Sequence, residues 1–174
     1  VRRPRSFSSV SGVPRLNVAE VDLQIRALTA WDPQPNGHVQ SLAVSSGAVY
    51  AAGTFSTVRG FARNGIVAWD TESGEVLPFN PGTALGAYTS AFSFFRNRVL
   101  LVGQRSPQTR PFSMFEWVDR VSGGATVPAS AANLLGSAAA RAGDTIYGIG
   151  ARSSDTTLTL ATVEAPTGAV WLRD

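Results

Sequence analysis

The feature that most constrains this chain is an internal repeat with a period of about 48 residues. Laid without a gap over residues 55–81, residues 7–33 show seven identities in 27 positions. They are Phe7 with Phe55, Ser8 with Ser56, Val10 with Val58, Gly12 with Gly60, Arg15 with Arg63, Asp22 with Asp70 and Pro33 with Pro81. Chance supplies about two at average residue usage. Ser9 with Thr57 and Val18 with Ile66 are conservative pairs in the same alignment. The pattern then weakens but continues. Val49-Tyr50-Ala51-Ala52-Gly53 returns as Val99-Leu100-Leu101-Val102-Gly103 and as Ile146-Tyr147-Gly148-Ile149-Gly150. Trp69-Asp70 with Ser73-Gly74 returns as Trp117-Val118-Asp119 with Ser122-Gly123, and more faintly as Thr162-Val163-Glu164 with Thr167-Gly168.

Inside a unit the apolar stretches are too short for helices and are cut about every ten residues by turn residues, the spacing of an antiparallel meander. Residues 39–45, 48–54, 65–70 and 75–79 are expected as four strands. Ser46-Gly47 makes a tight turn, 55–63 a longer loop and Glu72-Ser73-Gly74 a second turn, with Pro81 ending the last strand. The second strand is apolar throughout, as a strand covered on both faces should be. Residues 129–142 are rich in alanine and have helix propensity. The repeat register instead assigns part of them to the first strand of the last unit.

A small four-stranded sheet cannot cover its own two faces, but stacking on its neighbours does so. The fold class expected is therefore all-β: β-propeller blades of four antiparallel strands, rather than a β-sandwich. The tally is a basic tail over 1–6, a half blade over 7–33 comprising its last two strands, and blades over 36–82, 85–131 and 132–174. Closed propellers have four or more blades. Three and a half predict an incomplete propeller, part of a six- to eight-bladed ring. Its missing blades would come from the same protein or from another chain.

Composition narrows the function classes. Hydrophobic residues are 44 % of the chain and charged ones 16 %, which excludes wholesale disorder. No apolar run approaches the ~20 residues of a membrane-spanning helix. The chain has no Cys and one His, which excludes disulfides, thiol nucleophiles and multi-histidine metal sites within it. All 15 basic residues are arginine. The net charge is +3, but Arg2, Arg3 and Arg5 account for it, and the remaining arginines are scattered among twelve carboxylates. Nucleic-acid binding wants a clustered basic stripe, so no nucleic-acid partner is expected. The start, Val1-Arg2-Arg3-Pro4-Arg5, lacks the apolar core of a signal peptide.

Few residues carry the marks of chemistry. His38 follows Asn36-Gly37 where one blade crosses to the next, and is expected as a turn-flanking polar residue near the entry face rather than a base. Arg105 and Arg152 each lie two places after a strand-ending glycine, in loops on the side of His38. Together with it they are the candidate ligand-binding residues, suited to an anion through bidentate pairing. Asp22, Asp70, Asp119 and Glu164 recur before the turn into the fourth strand and should cap it through backbone amides rather than bind Ca²⁺. Trp31, Trp69, Trp117 and Trp171 are expected mainly as core packing. Gly148-Ile149-Gly150-Ala151-Arg152 lacks the third glycine and following helix of a dinucleotide loop, and reads as a strand end. No catalytic residues, cofactor or metal are assigned.

The run Trp31-Asp32-Pro33, Asn36-Gly37-His38-Val39, Val49-Tyr50-Ala51-Ala52-Gly53-Thr54-Phe55-Ser56, Arg63-Asn64, Ala68-Trp69-Asp70, Ser73-Gly74 resembles the delta-60 repeat propellers of bacteria. Their unit reads approximately W-x-P-x-x-N-G-x-V, V-Y-x-G-G-x-F, G-G-x-x-R-x-x-x-A-x-x-D-x-x-T-G. The resemblance spans residues 7–82 and fades beyond, where the Gly-x-Phe element and the Arg-Asn pair are missing. It implies a secreted or cell-surface bacterial protein and brings no catalytic residues with it. The function expected is a non-enzymatic binding or scaffold module with a protein or glycan ligand. The alternative is a propeller hydrolase or lyase at the central funnel, drawing on Asp32 and His38.

Overall fold

The structure is a computed structural model that describes residues 7–82, 89–104, 113–127, 134–152, 158–164 and 170–173. All regular structure in it is β, and every paired strand is antiparallel. Residues 1–6, the expected basic tail, lie outside the described residues.

The central sheet contains β5 (Val39–Ser45), β6 (Ala48–Gly53) and β9 (Ile66–Asp70) in that order. Ser46 and Gly47 close the first hairpin with φ of 47° and 75°. Two positive φ values in a two-residue loop match the right-handed twist of the flanking strands. A fourth ribbon is present only as the bridge between Trp69 and Val76, flanked by bonds from Asp70 N–H to Glu75 O and from Leu77 N–H to Ala68 O. The strand expected over 75–79 is thus cut short. Pro78 has no N–H to extend the ladder.

Two four-stranded meanders follow. The first is β10 (Thr89–Phe95), β11 (Arg98–Gln104), β12 (Ser113–Asp119) and β13 (Ala125–Val127). The second is β14 (Leu134–Ala142), β15 (Thr145–Arg152), β16 (Leu158–Glu164) and β17 (Val170–Arg173). The alanine-rich run is strand over Leu134–Ala142. Pairing with β15 outweighs intrinsic helix propensity. The glycine-bearing run near residue 150 is likewise the end of a strand.

Ahead of the central sheet, residues 7–33 hold two short hairpins. One is β1 (Ser9–Val10) with β2 (Val13–Pro14), the other β3 (Val21–Asp22) with β4 (Ala27–Leu28). The loop expected over 55–63 also contains a hairpin, β7 (Thr57–Val58) with β8 (Phe61–Ala62). Its turn residues Arg59 and Gly60 have φ of 47° and 83°. Ser11 and Gly12, between β1 and β2, have φ of 50° and 81°.

Side chains of the central sheet alternate between two apolar layers. Ala48, Tyr50, Ala52, Ile66 and Ala68 face one way and pack with Phe79, Val99, Leu101 and Val118, with Phe92 and Phe94 beside them. Ala51, Val67 and Trp69 face the other way and join Phe55, Val58 and Trp31. Both faces of β6 are therefore covered, which is why its sequence is apolar without alternation. At ~25 cal/mol per Å², burial of this kind supplies most of the drive to fold. Strand β10 lies against β5 and β6, and β14 lies against β10, β11 and β12. The three larger sheets thus succeed one another in chain order.

Candidate functional site

The polar side chains that recur along the chain are committed to their own backbone. The Asp70 carboxylate accepts bonds from the N–H groups of Glu72 and Ser73 at 3.0 and 2.7 Å and from the Ser73 hydroxyl at 2.9 Å. Asp119 does the same with Val121, Ser122 and the Ser122 hydroxyl at 3.0, 2.8 and 2.9 Å. Asp22 accepts from Gln24 and Ile25. These are the expected caps, since a short carboxylate reaches amides two and three residues on. The Ser73 N–H, its hydroxyl and the Glu72 N–H, in that order, hold the Asp70 pKa below its ordinary value. For Asp119 the Ser122 N–H is the largest cause. The side chain of Glu164 lies outside the described residues.

Arg15 and Arg63 show the same use of charge. Arg15 donates to the carbonyls of Pro14 and Thr29, and Arg63 to those of Ala62 and Leu77. Burial lowers the Arg63 pKa from its ordinary value. Other bonds recur at the same interval. Arg15 N–H reaches Ser8 O as Arg63 N–H reaches Ser56 O, and Thr29 N–H reaches Glu20 O as Leu77 N–H reaches Ala68 O. Left-handed residues coincide too: Asn17 with Gly65, Arg26 with Gly74 and Gln34 with Gly82. None of those three pairs is an identity, so the aligned letters do not reveal them.

Of the candidate ligand residues, His38 is exposed and lines an open cleft of about 390 Å³ with Phe7, Ser8, Leu16, Asn17 and Asn36. Its carbonyl accepts the Thr54 N–H at 2.9 Å. Gly53 passes so close that a Cβ there would overlap this carbonyl oxygen. The Asn36 carboxamide binds the N–H groups of Ser56 and Thr57, so the Asn-Gly-His run is a backbone junction. Arg105 lies outside the described residues. Arg152 ends β15, opposite Leu134, but its side chain is not among those described.

A second cleft, of about 250 Å³, is lined by Glu20, Trp31, Asp32, Arg59, Glu72 and Gly74 among others. Trp31 stands edge-on to Trp69, with ring centroids 5.7 Å apart. Asp32 Oδ2 accepts from the Gln34 amide at 2.6 Å, whereas the buried Asp32 Oδ1 and Trp31 Nε1 find no hydrogen-bond partner within the protein. Arg59 donates to the Gly74 carbonyl at 3.0 Å. The cleft therefore sets an indole beside the side chains of Glu20, Asp32, Arg59 and Glu72, a polar and aromatic set suited to a hydroxylated ligand. Sequence reasoning singled out Trp31 and Asp32 separately but did not bring them together. The adjacency of the two residues beside Pro33 was the available signal. Asp32 and His38 line different clefts.

The buried Trp69 and Trp117 behave as packing residues. The side chain of Trp171 lies outside the described set. Among the described residues no helix is long and apolar enough to cross a membrane, and no three His, Cys, Asp or Glu side chains are grouped to hold a metal ion.

No protein-family profile matches the chain, and no curated protein does. Solved structures do match in shape. The computationally designed Ika4 protein superposes with a TM-score of 0.54 at 17 % identity, covering 81 % of this chain and 74 % of that one. The computationally designed Ika8 protein superposes with a TM-score of 0.53 at 16 % identity, covering 78 % of this chain. This chain spans 36 % of the length of Ika8. At these identities the likeness is one of fold alone.

Proposed function

We infer that the chain is a run of β-propeller blades serving as a non-catalytic binding or scaffold module. The observation that carries this reading is the repeated bonding of Arg15 and Arg63, and of Asp22, Asp70 and Asp119. These recurring charged side chains are spent on turns and carbonyls, leaving a frame whose loops vary. Successive sheets packed face to face in chain order are compatible with radial stacking. The secreted or cell-surface location rests on the resemblance to the delta-60 repeat propellers, as does the choice of a protein or glycan ligand. Fold alone licenses no activity.

For a glycan, the Trp31–Asp32 cleft is the place of contact: an indole beside carboxylates and the Arg59 guanidinium matches a sugar's alternation of C–H and O–H. A glycan array probed with the chain should return a defined set of saccharides. Trp31→Ala and Asp32→Asn should each abolish that signal while the melting temperature is read in parallel. Retention of the signal in both variants places binding elsewhere. Hydrolysis of the bound saccharide would overturn the non-catalytic reading.

A further inference from the structure

The cleft beside Trp31 carries unbalanced charge. Among the described residues Glu20, Asp32 and Glu72 line it, against the guanidinium of Arg59. Arg59 is already engaged, through Nη1, with the Gly74 carbonyl at 3.0 Å. The bonds the carboxylates make are to neutral groups: Glu20 Oε2 accepts the Thr29 hydroxyl at 2.7 Å and Asp32 Oδ2 the Gln34 amide at 2.6 Å. The charges just behind the wall cancel, since Asp70 is bonded to Ser73 and Arg15 to the Thr29 carbonyl. The chain as a whole carries +3. The cleft is therefore a local excess of negative charge on a basic protein.

The arrangement limits which cation fits. Among the described residues no three His, Cys, Asp or Glu side chains are grouped to hold a metal ion. Carboxylates spread round a cleft match a positive charge borne on a larger frame. The cleft measures about 250 Å³, below the ~300–1,000 Å³ of pockets for drug-sized ligands, a size for a short saccharide rather than a folded segment. The hydroxylated residues Thr29, Thr71 and Ser73 complete the polar wall. The indole is held independently of the carboxylates. It stands edge-on to Trp69 and against Gly74, where an added Cβ would come within 2.8 Å of Trp31 Cδ1. An indole next to a cation adds to the attraction.

We propose that this cleft selects amine-bearing saccharides, sugars of the glucosamine type with a free protonated amino group, over their neutral, N-acetylated and acidic counterparts. The proposal rests on the reading of the cleft as a glycan site and adds its charge class. The ammonium pairs with the carboxylates, the sugar hydroxyls meet the polar wall, and the C–H groups meet the indole. Each exposed pairing contributes up to about fivefold, so the set gives about tenfold or more over a neutral sugar of the same shape. Acetylation removes the charge, and a uronic acid is repelled by the same carboxylates.

The probes are the β-1,4-linked glucosamine disaccharide and cellobiose, which differ only in an amino group or a hydroxyl at position 2. They are titrated into the whole chain at about pH 6, where carboxylates are ionised and the amine is protonated, and followed by amide chemical shifts. The amine disaccharide is expected to bind about tenfold or more tighter, with the gap narrowing as ionic strength rises. Glu20→Gln and Glu72→Gln should each weaken it by about two- to fivefold, and weaken cellobiose less. Both side chains are exposed, so the variants should keep the parent melting temperature. Equal affinities for the two disaccharides, both lost in Trp31→Ala, would overturn the amine selectivity and leave the glycan site standing. No saturation by either up to about 10 mM would overturn both. An amine preference unchanged in the double variant Glu20→Gln, Glu72→Gln would overturn the proposal by placing the cation elsewhere. An Nα-acetyl-lysine amide that binds as tightly as the amine disaccharide would also overturn it, by assigning the cleft to a lysine side chain.

Discussion

Arg63 donates through Nη2 to the carbonyl oxygen of Leu77 at 3.0 Å, tying the end of the small hairpin β7–β8 to the ribbon that follows the Asp70 turn. Arg15 makes the equivalent bond to Thr29 at 2.7 Å. Each guanidinium also holds the carbonyl of the residue before it. Arg63→Ala should cost about 1–3 kcal/mol, because a charge-assisted bond is lost from a half-buried position. Arg63→Lys should recover only part of it, since an ammonium lacks the planar fork that serves two carbonyls at once. Urea unfolding of the two variants measures both effects.

Tyr50 joins the central sheet to the next one. Its ring is 2 % exposed and meets Phe79 edge-on at 5.1 Å, with Phe92 and Phe94 on its other flank. Its hydroxyl exchanges long hydrogen bonds with Arg120, at 3.3 and 3.4 Å. Tyr50→Ala should destabilise by about 3–5 kcal/mol, the range for removing a buried aromatic. Tyr50→Phe should cost less than about 1.5 kcal/mol. Thermal unfolding of both variants separates packing from the hydroxyl.

Asp70 and Asp119 make stability depend on acid pH. Their folded pKa values lie below the ordinary 3.8 because amides and hydroxyls bind the ionised form. A lowered folded pKa means that the stabilisation is complete above the unfolded value and is lost as pH falls through the folded one. The double variant Asp70→Asn, Asp119→Asn keeps an acceptor oxygen but cannot titrate. Its melting temperature should fall less than the parent's on acidification below about pH 4. An equal fall in both proteins would refute the assignment.

Gly74 and Arg26 adopt the same left-handed backbone one period apart, with φ of 69° and 53°. Opposite substitutions should therefore have opposite effects. A Cβ on Gly74 would come within 2.8 Å of Trp31 Cδ1, so Gly74→Ala should lower stability by about 1–2 kcal/mol or more. Arg26→Gly removes a strained L-residue and should raise stability by up to about 1 kcal/mol, less the entropy glycine adds to the unfolded chain. Melting curves of the two variants, compared with the parent, test both signs.

The meander was legible where letters and physics coincide. Strand alternation and turn residues located Val39–Ser45 and Ala48–Gly53 closely, and the recurring aspartates announced their own turns. The hairpins β1–β2 and β7–β8 were not read, since each strand has only two residues and shows no periodicity. The Trp31–Asp32 cleft was hidden for another reason. Its far wall is Arg59, Glu72 and Gly74, whose approach depends on how the turn after Asp70 folds back.

The sequence by itself determined the all-β class, the period and the capping aspartates, because these follow from local preferences: turn residues, two-residue alternation and carboxylates within reach of nearby amides. Only the tertiary structure decided which positions share a left-handed backbone and which guanidinium holds which carbonyl. Those depend on distances between segments far apart in the chain. A left-handed turn accepts Asn, Arg, Gln or Gly, so its recurrence leaves no letter to align.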